Sequence, residues 1–249
     1  MSLALITGPT AGIGRAFADA LAAEGHDLVL VSRDKARLES VANELQTAYG
    51  VRTEVLPADL SDPSETRRIE ERLASEPFAV LVNNAGFGMK RPFHHNDIAD
   101  EQAALDVLVT AVMRLTHAAL GPMLAAGHGE IVNVSSVAGY LPRGTYGAHK
   151  AWVTSFSSWA NVRYRKRGVR VMAVCPGFVR TEFHQRLGTT IKATPGWMIL
   201  DAEPLVKEAL GDLRAGKAVS VPTFRYKILV ALARGMPRPI LERIARRGR

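Results

Sequence analysis

The sequence predicts one α/β domain, in which helices cover both faces of a mostly parallel sheet of about seven strands, a doubly wound three-layer sandwich. Two observations predict it. Short apolar runs alternate along the chain with longer stretches of helical period. A glycine-rich loop follows the first of these runs directly. The 249 residues, 47% of them hydrophobic and 22% charged, suffice for one sizeable core.

The strands are predicted from short runs rich in Val, Leu and Ile. They are placed at Leu3 to Thr7, Asp27 to Ser32, Arg52 to Leu56, Ala79 to Asn83, Gly129 to Ser135 and Val169 to Cys175, with a weaker one at Ala218 to Val221. Runs of this length, bounded by turn residues, are typical of the buried strands of a parallel sheet.

The helices are predicted from apolar residues that recur on one face and from end signals. They are placed at Ile13 to Ala23, Asp34 to Ala48, Pro63 to Ala74, Asp100 to Ala126 and Tyr146 to Arg167. Asp62 before Pro63 is typical of a helix N-cap followed by proline at the first helical position. Gly127 and Gly168 indicate the ends of the last two helices.

Charge is concentrated at the end of the chain. Eight basic residues and one acidic residue lie from Arg225 onward, so this segment carries +7 of the net +8 and the residues before it carry +1. A nucleic-acid-binding body is therefore disfavoured. We predict a domain over residues 1–222, with a substrate loop at about 180–200, and a basic amphipathic extension of the same domain over 223–249.

Cysteine content and the N-terminus bear on the compartment. The single cysteine, Cys175, has no partner for an internal disulfide, and the seven histidines show no zinc-ligand spacing. We interpret Cys175 as a core residue. The N-terminal apolar run passes straight into a glycine loop without the pattern of a signal peptide, so we expect a cytoplasmic protein and no metal.

The loop Thr7-Gly8-Pro9-Thr10-Ala11-Gly12-Ile13-Gly14 joins the first strand to the first helix. Glycines there permit a tight turn and a close backbone approach, and the helix N-terminus offers amides to a pyrophosphate. We expect Gly8, Thr10, Gly12, Ile13 and Gly14 to bind a dinucleotide. By itself such a loop is also compatible with an ordinary turn.

The spacing T-G-x-x-x-G-x-G resembles that of the short-chain dehydrogenase/reductase family. Further strings follow in the family's order: Asn83-Asn84-Ala85-Gly86, Asn133-Val134-Ser135-Ser136, Tyr146-Gly147-Ala148-His149-Lys150 and Pro176-Gly177. The resemblance implies a Rossmann-type fold and hydride transfer between a nicotinamide and a carbonyl or alcohol. It also implies a homodimer or homotetramer, with the helices starting near Asp100 and Tyr146 at the interface.

The end of the second strand predicts the choice of cofactor. An acidic residue there would bond the ribose 2′-hydroxyl of NAD, but the position holds Ser32, followed by Arg33. Because a guanidinium can hold a 2′-phosphate, we favour NADP(H) over NAD(H). The alternative is that Arg33 is a solvated residue paired with Asp34.

The resemblance implies further contacts to the cofactor. Asp59 and Leu60 would bracket the adenine, and the ribose side would be lined by Asn83, Ala85 and Gly86. The nicotinamide end of the cofactor would be contacted by Pro176, Gly177, Val179 and Thr181.

Tyr146 and Lys150, four residues apart, share a helix face, and a lysine can lower the pKa of a tyrosine towards the range that proton transfer needs. The resemblance implies that Tyr146 is the acid/base, that Lys150 also binds the nicotinamide ribose, and that a serine holds the substrate oxygen. We assign this last role to Ser136, with Ser135 as the alternative.

One position departs from the family pattern. The family's asparagine in the helix before the fifth strand, which holds a water that links the lysine to solvent, is matched here by Leu108. Either Thr110 or Asp106 replaces it, or turnover is slow. A protein of this fold that binds the cofactor with little or no catalysis is therefore the rival hypothesis.

The substrate side is predicted to be apolar, because Trp197 and Met198 lie in the loop at 180–200 with Phe183 and His184, and Phe87 and Met89 follow the asparagine string. A keto-lipid, a steroid-like compound or an aromatic ketone or aldehyde would suit such a pocket. The alternative is that these side chains merely pack the lid.

The C-terminal extension combines an apolar stretch with basic flanks, starting at Phe224. Two interpretations stay open. The extension covers part of the pocket or a subunit interface, or it makes peripheral contact with an anionic membrane.

Overall fold

The computed structural model describes residues 2–89, 91–182 and 195–247, and within them seven parallel strands form the central sheet. These are β1 (Leu3–Thr7), β2 (Asp27–Ser32), β3 (Thr53–Pro57), β4 (Val80–Asn83), β5 (Gly129–Val134), β6 (Val169–Val174) and β9 (Val219–Ser220). Two further strands, β7 (Phe178–Val179) and β8 (Ile199–Leu200), pair with each other in a small separate sheet. The doubly wound fold and the seven strands agree with the sequence prediction.

The spatial order of the sheet is β3-β2-β1-β4-β5-β6-β9. Leu5 in β1 pairs with Val29 of β2 on one side and with Leu81 of β4 on the other. The direction of winding therefore reverses between β1 and β4. In sheets of this kind, ligands bind in the crevice beyond the carboxyl ends of the strands at that reversal.

The α-helices that cover the sheet are α1 (Gly12–Ala23), α2 (Lys35–Tyr49), α3 (Pro63–Ala74), α4 (Ile98–Leu105), α5 (Ala111–Ala126), α6 (Gly144–Tyr164), α7 (Ala202–Arg214), α8 (Phe224–Gly235) and α9 (Arg238–Arg247). Adjacent strand residues point to opposite faces, so Ile6 packs with Phe17 and Leu38 while Leu5 packs with Ile69 and Leu115. One core layer thus lies under α1, α2 and α7, and the other under α3, α5 and α6.

The predicted end signals are confirmed. The Asp62 carboxylate accepts a hydrogen bond from the backbone N–H of Ser64 at 2.7 Å, and Pro63 opens α3. Gly127 and Gly168, which follow the two long helices, have φ of +73° and +86°. These left-handed conformations cost glycine little, so each helix ends where its glycine lies.

The long helix before β5 differs from the prediction of one continuous element. A π-helical turn, Asp106–Thr110, separates α4 from α5. Such a turn contains one extra residue, which the apolar periodicity does not reveal. Within the described residues, the stretch Ile98–Ala126 is the one helical segment long and apolar enough to cross a membrane, and 44% of its most apolar window is buried inside the protein.

The extension at 223–249 packs onto the domain through α8. Tyr226 and Val230 are 2% and 6% exposed, and Tyr226 belongs to the core layer under α1, α2 and α7. Helix α8 therefore shares the hydrophobic core of the domain.

Candidate active site

The glycine loop packs too closely for side chains at its key positions. A Cβ atom at Gly14 would lie 2.1 Å from the carbonyl oxygen of Gly8. Ala11, the N-cap of α1, provides no side-chain cap, so the amides of the first turn, which includes Gly12 and Ile13, are free of one. Uncapped amides at a helix N-terminus suit a pyrophosphate, so this loop fits a dinucleotide, with Thr10 in the same turn.

Asn84, which the sequence analysis did not single out, holds this loop in place. Its side-chain amide donates to the carbonyl oxygens of Thr7 and Gly8, at 2.9 and 3.0 Å. In return, the Thr7 hydroxyl accepts hydrogen bonds from the backbone N–H groups of Asn84 and Ala85, both at 2.9 Å. The ends of β1 and β4 are thereby joined, and Ala85 and Gly86 are brought beside the glycine loop.

The prediction that Asn83 lines the ribose side is wrong for its side chain, because that side chain faces the core. It is 4% exposed, and its amide donates to Asn133 at 2.8 Å and to Thr116 at 3.3 Å. Successive residues of a strand point to opposite faces, so Asn84 faces the crevice while Asn83 faces inwards. Only the main chain of Asn83 is left to contact a cofactor.

Arg33 lies in the crevice at the end of β2. Ser32 ends the strand, and the Arg33 side chain, 71% exposed, lies 3.6 Å from the Asp59 carboxylate and not beside Asp34. Asp34 instead caps α2 by accepting from the N–H of Arg37. Arg33 therefore lies at the carboxyl end of β2, paired with Asp59.

Asp59 and Leu60 follow β3. Burial alone would raise the pKa of Asp59, but hydrogen bonds from Ser61 and the charge of Arg33 lower it, so the carboxylate stays ionised opposite Arg33. Leu60 is 8% exposed and packs in the core layer that includes α3.

Arg37, one turn into α2, was not identified from the sequence. Its guanidinium pairs with the Glu182 carboxylate through two hydrogen bonds, at 2.9 and 3.3 Å. Glu182 follows Thr181, so this ion pair connects the adenine end of the crevice to the start of the substrate loop. A basic residue four positions after Arg33 was the only sequence signal for it.

Thr181 lies against the glycine loop. A Cβ atom at Gly12 would lie 2.5 Å from Cγ2 of Thr181. Val179, 4% exposed, is held in β7, and the carbonyl of Pro176 accepts from the N–H of Val137 at 3.0 Å. The segment after β6 therefore closes one end of the crevice.

Tyr146 and Lys150 lie in the first turns of α6, beside the carboxyl end of β5. The Lys150 ammonium is 5.7 Å from the centre of the Tyr146 ring and donates to the carbonyl oxygen of Val134 at 2.6 Å. Burial lowers the pKa of Lys150 to about 8. Burial also raises the pKa of Tyr146 to about 12, against the opposing effect of a hydrogen bond from Ser136. The pair can supply a proton and a nearby positive charge.

The two serines have different surroundings. Ser135 is 2% exposed, and its hydroxyl bonds the Lys150 carbonyl at 2.6 Å and the Thr154 hydroxyl at 2.8 Å. The Ser136 hydroxyl accepts from the N–H of Ala138 and is hydrogen-bonded to Tyr146. The arrangement thus brings together Ser136, Tyr146 and Lys150, while Ser135 supports the helix behind them.

Leu108 lies in the π turn and is 1% exposed. A Cβ atom at Gly86 would be 2.8 Å from Cδ2 of Leu108 and 3.9 Å from the Lys150 nitrogen, so this apolar side chain lies close to the lysine. Thr110 donates to Asp106 at 3.4 Å, and among the described residues neither is bonded to Lys150. The surroundings of the lysine on this side are therefore apolar.

The substrate side is formed in part by Tyr226 of α8. Its hydroxyl accepts from the N–H of Phe178 at 3.0 Å and donates to the carbonyl of Met198 at 2.7 Å. The ring fills the space where Gly177 lacks a side chain, since a Cβ there would lie 1.9 Å from it. Tyr226 thus joins the segment before the predicted substrate loop to the end of that loop.

Other residues expected at the pocket fall in different places. Phe87 packs against the core layer under α3, α5 and α6, so the packing interpretation holds for it. Trp197 is 52% exposed. Phe183 and His184 lie outside the described residues. No group of three metal-ligating side chains occurs in the parts of the chain that the structure describes.

These features define a dinucleotide-binding α/β protein with a serine–tyrosine–lysine cluster at the crevice of its sheet. Residues 2–192 match the family model for short chain dehydrogenases. A solved short-chain dehydrogenase from Sphingobium yanoikuyae, in complex with NADPH, is 34% identical and superposes with a TM-score of 0.86 over 94% of each chain. The chain belongs to the short-chain dehydrogenase/reductase family of oxidoreductases.

Two other relatives act on named substrates. The bulky-bulky ketone specific alcohol dehydrogenase of Comamonas testosteroni is 31% identical, with a TM-score of 0.82 over 96% of each chain. The very-long-chain 3-oxoacyl-CoA reductase of Anas platyrhynchos is 36% identical over 187 residues, which are 72% of this chain and 60% of that protein. The chain thus spans about three fifths of the length of this curated relative.

Proposed function

We propose that the protein is an NADP(H)-dependent reductase of bulky, apolar carbonyl compounds. The observation that carries the proposal is the hydrogen-bonded pair Ser136 and Tyr146, with the Lys150 ammonium behind the tyrosine ring, at the edge of the crevice that holds the glycine loop. The proton donor Tyr146, the positive charge of Lys150 and the oxygen ligand Ser136 lie together where the nicotinamide of a bound cofactor would end.

The cofactor, when bound, supplies the hydride, and the residues of this chain manage the proton. The hydroxyls of Ser136 and Tyr146 donate hydrogen bonds to the carbonyl oxygen of the substrate. Tyr146 then gives its proton to the oxygen that becomes the alcohol. The Lys150 ammonium stabilises the resulting tyrosinate. Because burial raises the pKa of Tyr146, the hydroxyl stays protonated at neutral pH, and the positive charge of Lys150 is what favours release of the proton.

The preference for NADP(H) rests on Arg33, because the Arg37 guanidinium is paired with Glu182. Ser32 places no negative charge at the end of β2, and Arg33 is exposed beside it. A 2′-phosphate could take charge-assisted hydrogen bonds from this exposed guanidinium. The NADPH complex of the Sphingobium relative supports the same choice.

The names of the relatives support a large carbonyl substrate. One is named for very-long-chain 3-oxoacyl-CoA and another for ketones with two bulky substituents. We therefore propose a keto-lipid, such as a 3-oxoacyl thioester, or a ketone of similar bulk.

The test is the oxidation of NADPH by the purified protein with a long-chain 3-oxoacyl thioester, a diaryl ketone and a small ketone. We expect turnover of the large substrates and its loss in Tyr146→Phe. Tyr49→Phe, which removes a hydroxyl from the exposed end of α2, is the matched control and should keep its activity. Binding of neither nicotinamide cofactor, measured by calorimetry, would overturn the proposal.

Leu108 supports a second candidate, a cofactor-binding protein with little turnover. It places a buried apolar side chain beside Lys150. This candidate predicts tight NADPH binding without its oxidation by any of the three substrates.

The expected homo-oligomer has a candidate face on α6. Trp152 stacks on Phe156 with ring centres 4.8 Å apart, and Trp159 follows at 5.9 Å, 56% exposed. Trp152 and Phe156 are half-buried. An exposed tryptophan that continues a row of aromatic rings is typical of protein interfaces. We propose that this face pairs two copies; light scattering of Trp159→Glu would show monomers.

The cytoplasmic location stays a prediction.

A further inference from the structure

Helix α8 has two apolar faces. Tyr226 and Val230 point into the protein. On the opposite side, Phe224, Ile228 and Leu232 follow one another at intervals of four residues, and their exposed fractions are 75%, 45% and 58%. Residues at this spacing lie in one row along a helix. We call these three side chains the α8 ridge.

The α8 ridge is bordered by further apolar and basic groups. Leu229 on the same helix is 39% exposed. Arg225 donates to the main-chain carbonyl of Trp197, an exposed residue, so the chain at Trp197 is tied to this helix. An exposed tryptophan in a segment joined to an apolar row is typical of residues that lie at the boundary between water and lipid.

The charge around the ridge is one-sided. From Arg225 to the end of the chain there are eight basic residues and one acid, whereas the rest of the chain carries +1. Lys227 is paired with Glu208, but among the described residues the salt bridges include no acidic partner for Arg225 or Arg234. The segment therefore combines exposed apolar surface with unneutralised positive charge.

We propose that the α8 ridge docks on an anionic lipid bilayer, with Phe224, Ile228 and Leu232 inserted among the headgroups and the surrounding arginines on lipid phosphates. Apolar insertion and electrostatic attraction act together in such helices. A second copy of the chain is disfavoured as the occupant, because a symmetric contact would bring two segments of like charge together. An anionic surface removes that repulsion.

Docking in this orientation would place the membrane at the substrate side. The buried face of the same helix holds Phe178 and Met198 through Tyr226, and Arg234 lies 5.5 Å above the ring of Tyr140, a few residues before the catalytic tyrosine of the proposed function. An apolar carbonyl compound dissolved in the bilayer could then enter without crossing water. This consequence rests on the proposed function; the docking itself does not.

The experiment is co-sedimentation of the full chain with vesicles of phosphatidylcholine alone or with about one third phosphatidylglycerol. We expect binding to the anionic vesicles only, and binding that weakens as salt is added. Phe224→Glu and Leu232→Glu should each weaken it by about tenfold or more, since each removes a large apolar side chain from the interface and adds a negative charge. Both positions are exposed, so folding should be kept.

Phe93→Glu is the matched control. Phe93 is 60% exposed, much as Leu232 is at 58%, but it lies outside the C-terminal segment, so its variant should bind vesicles normally. Equal binding to both vesicle types, or binding unchanged in Phe224→Glu and Leu232→Glu, would overturn the proposal. So would a dimer of the unmodified chain that these variants dissociate, without vesicle binding.

The same variants separate this proposal from the proposed function. Leu232→Glu should reduce a water-soluble ketone at the rate of the unmodified protein. If no carbonyl is reduced while vesicle binding follows the expected pattern, the enzyme proposal fails and the docking proposal stands.

Discussion

The ammonium of Lys150 donates a hydrogen bond of 2.6 Å to the carbonyl oxygen of Val134, at the last residue of β5. The lysine is 4% exposed, so its charge is held inside the protein by the end of a strand rather than by a carboxylate. Burial without a full counter-charge lowers its pKa to about 8. A pKa of about 8 lies within the pH range of a kinetic assay, so the charge of Lys150 can be changed by pH while the reaction is measured.

The rate of carbonyl reduction should depend on the charge of Lys150. With a pKa of about 8, the lysine is protonated below that pH and neutral above it, while Tyr146, with its pKa of about 12, stays protonated throughout. We expect kcat/KM for reduction to be level below about pH 8 and to fall above it. Steady-state NADPH oxidation over a pH series measures this.

Two variants control the assignment. Lys150→Met should lower kcat/KM by about a hundredfold or more, in keeping with the loss of a group that assists proton transfer. Lys150→Arg keeps its charge at high pH, so its profile should lose the decline above pH 8. A decline of the same midpoint in Lys150→Arg would assign the titration to another group.

The two adjacent serines should separate catalysis from stability. Ser136→Ala should lower kcat by about a hundredfold with little change in the unfolding free energy, because its hydroxyl faces Tyr146. Ser135→Ala loses one buried and one part-buried hydrogen bond and should reduce the unfolding free energy by about 1 to 3 kcal/mol. Kinetics and urea unfolding of both variants test this; a reversed pattern would move the oxygen-binding role to Ser135.

Cofactor choice should change with Arg33. Arg33→Ala should weaken NADPH binding by about ten- to a hundredfold, equivalent to about 1.4 to 2.7 kcal/mol, and leave NADH binding nearly unchanged, since only NADPH carries the 2′-phosphate. Calorimetric titration with each cofactor measures both. Arg67→Ala, on the exposed face of α3, is the control. Equal losses for both cofactors would contradict a phosphate-specific role.

Leu108 should stabilise the fold through its packing while it lowers the turnover rate. Leu108→Asn would place an amide next to Lys150, and we expect a several-fold higher kcat together with a loss of about 2 to 4 kcal/mol of stability. Leu108→Ala should show the loss of stability without the gain in kcat. If neither variant raises kcat, the apolar surroundings of the lysine are not what limits the reaction.

The sequence determined the fold and most of the candidate site, because these depend on local signals. Apolar runs and helical periods predicted the strands of the sheet, and Asp62, Gly127 and Gly168 predicted helix ends through caps and backbone conformations that require only neighbouring residues. The spacing of Tyr146 and Lys150 placed them on one helix face. Their motif order also led to the family that the comparisons found.

The tertiary structure decided what depends on contacts between distant segments. The faces of Asn83 and Asn84 follow from the pairing of β4, and the pairing of Arg37 with Glu182 joins residues 145 positions apart. The π turn at Leu108 leaves no trace in periodicity. Tyr226 is a core residue rather than part of an exposed tail because its ring fills the space over Gly177. Such partners are chosen by packing, which a linear pattern of residue types does not contain.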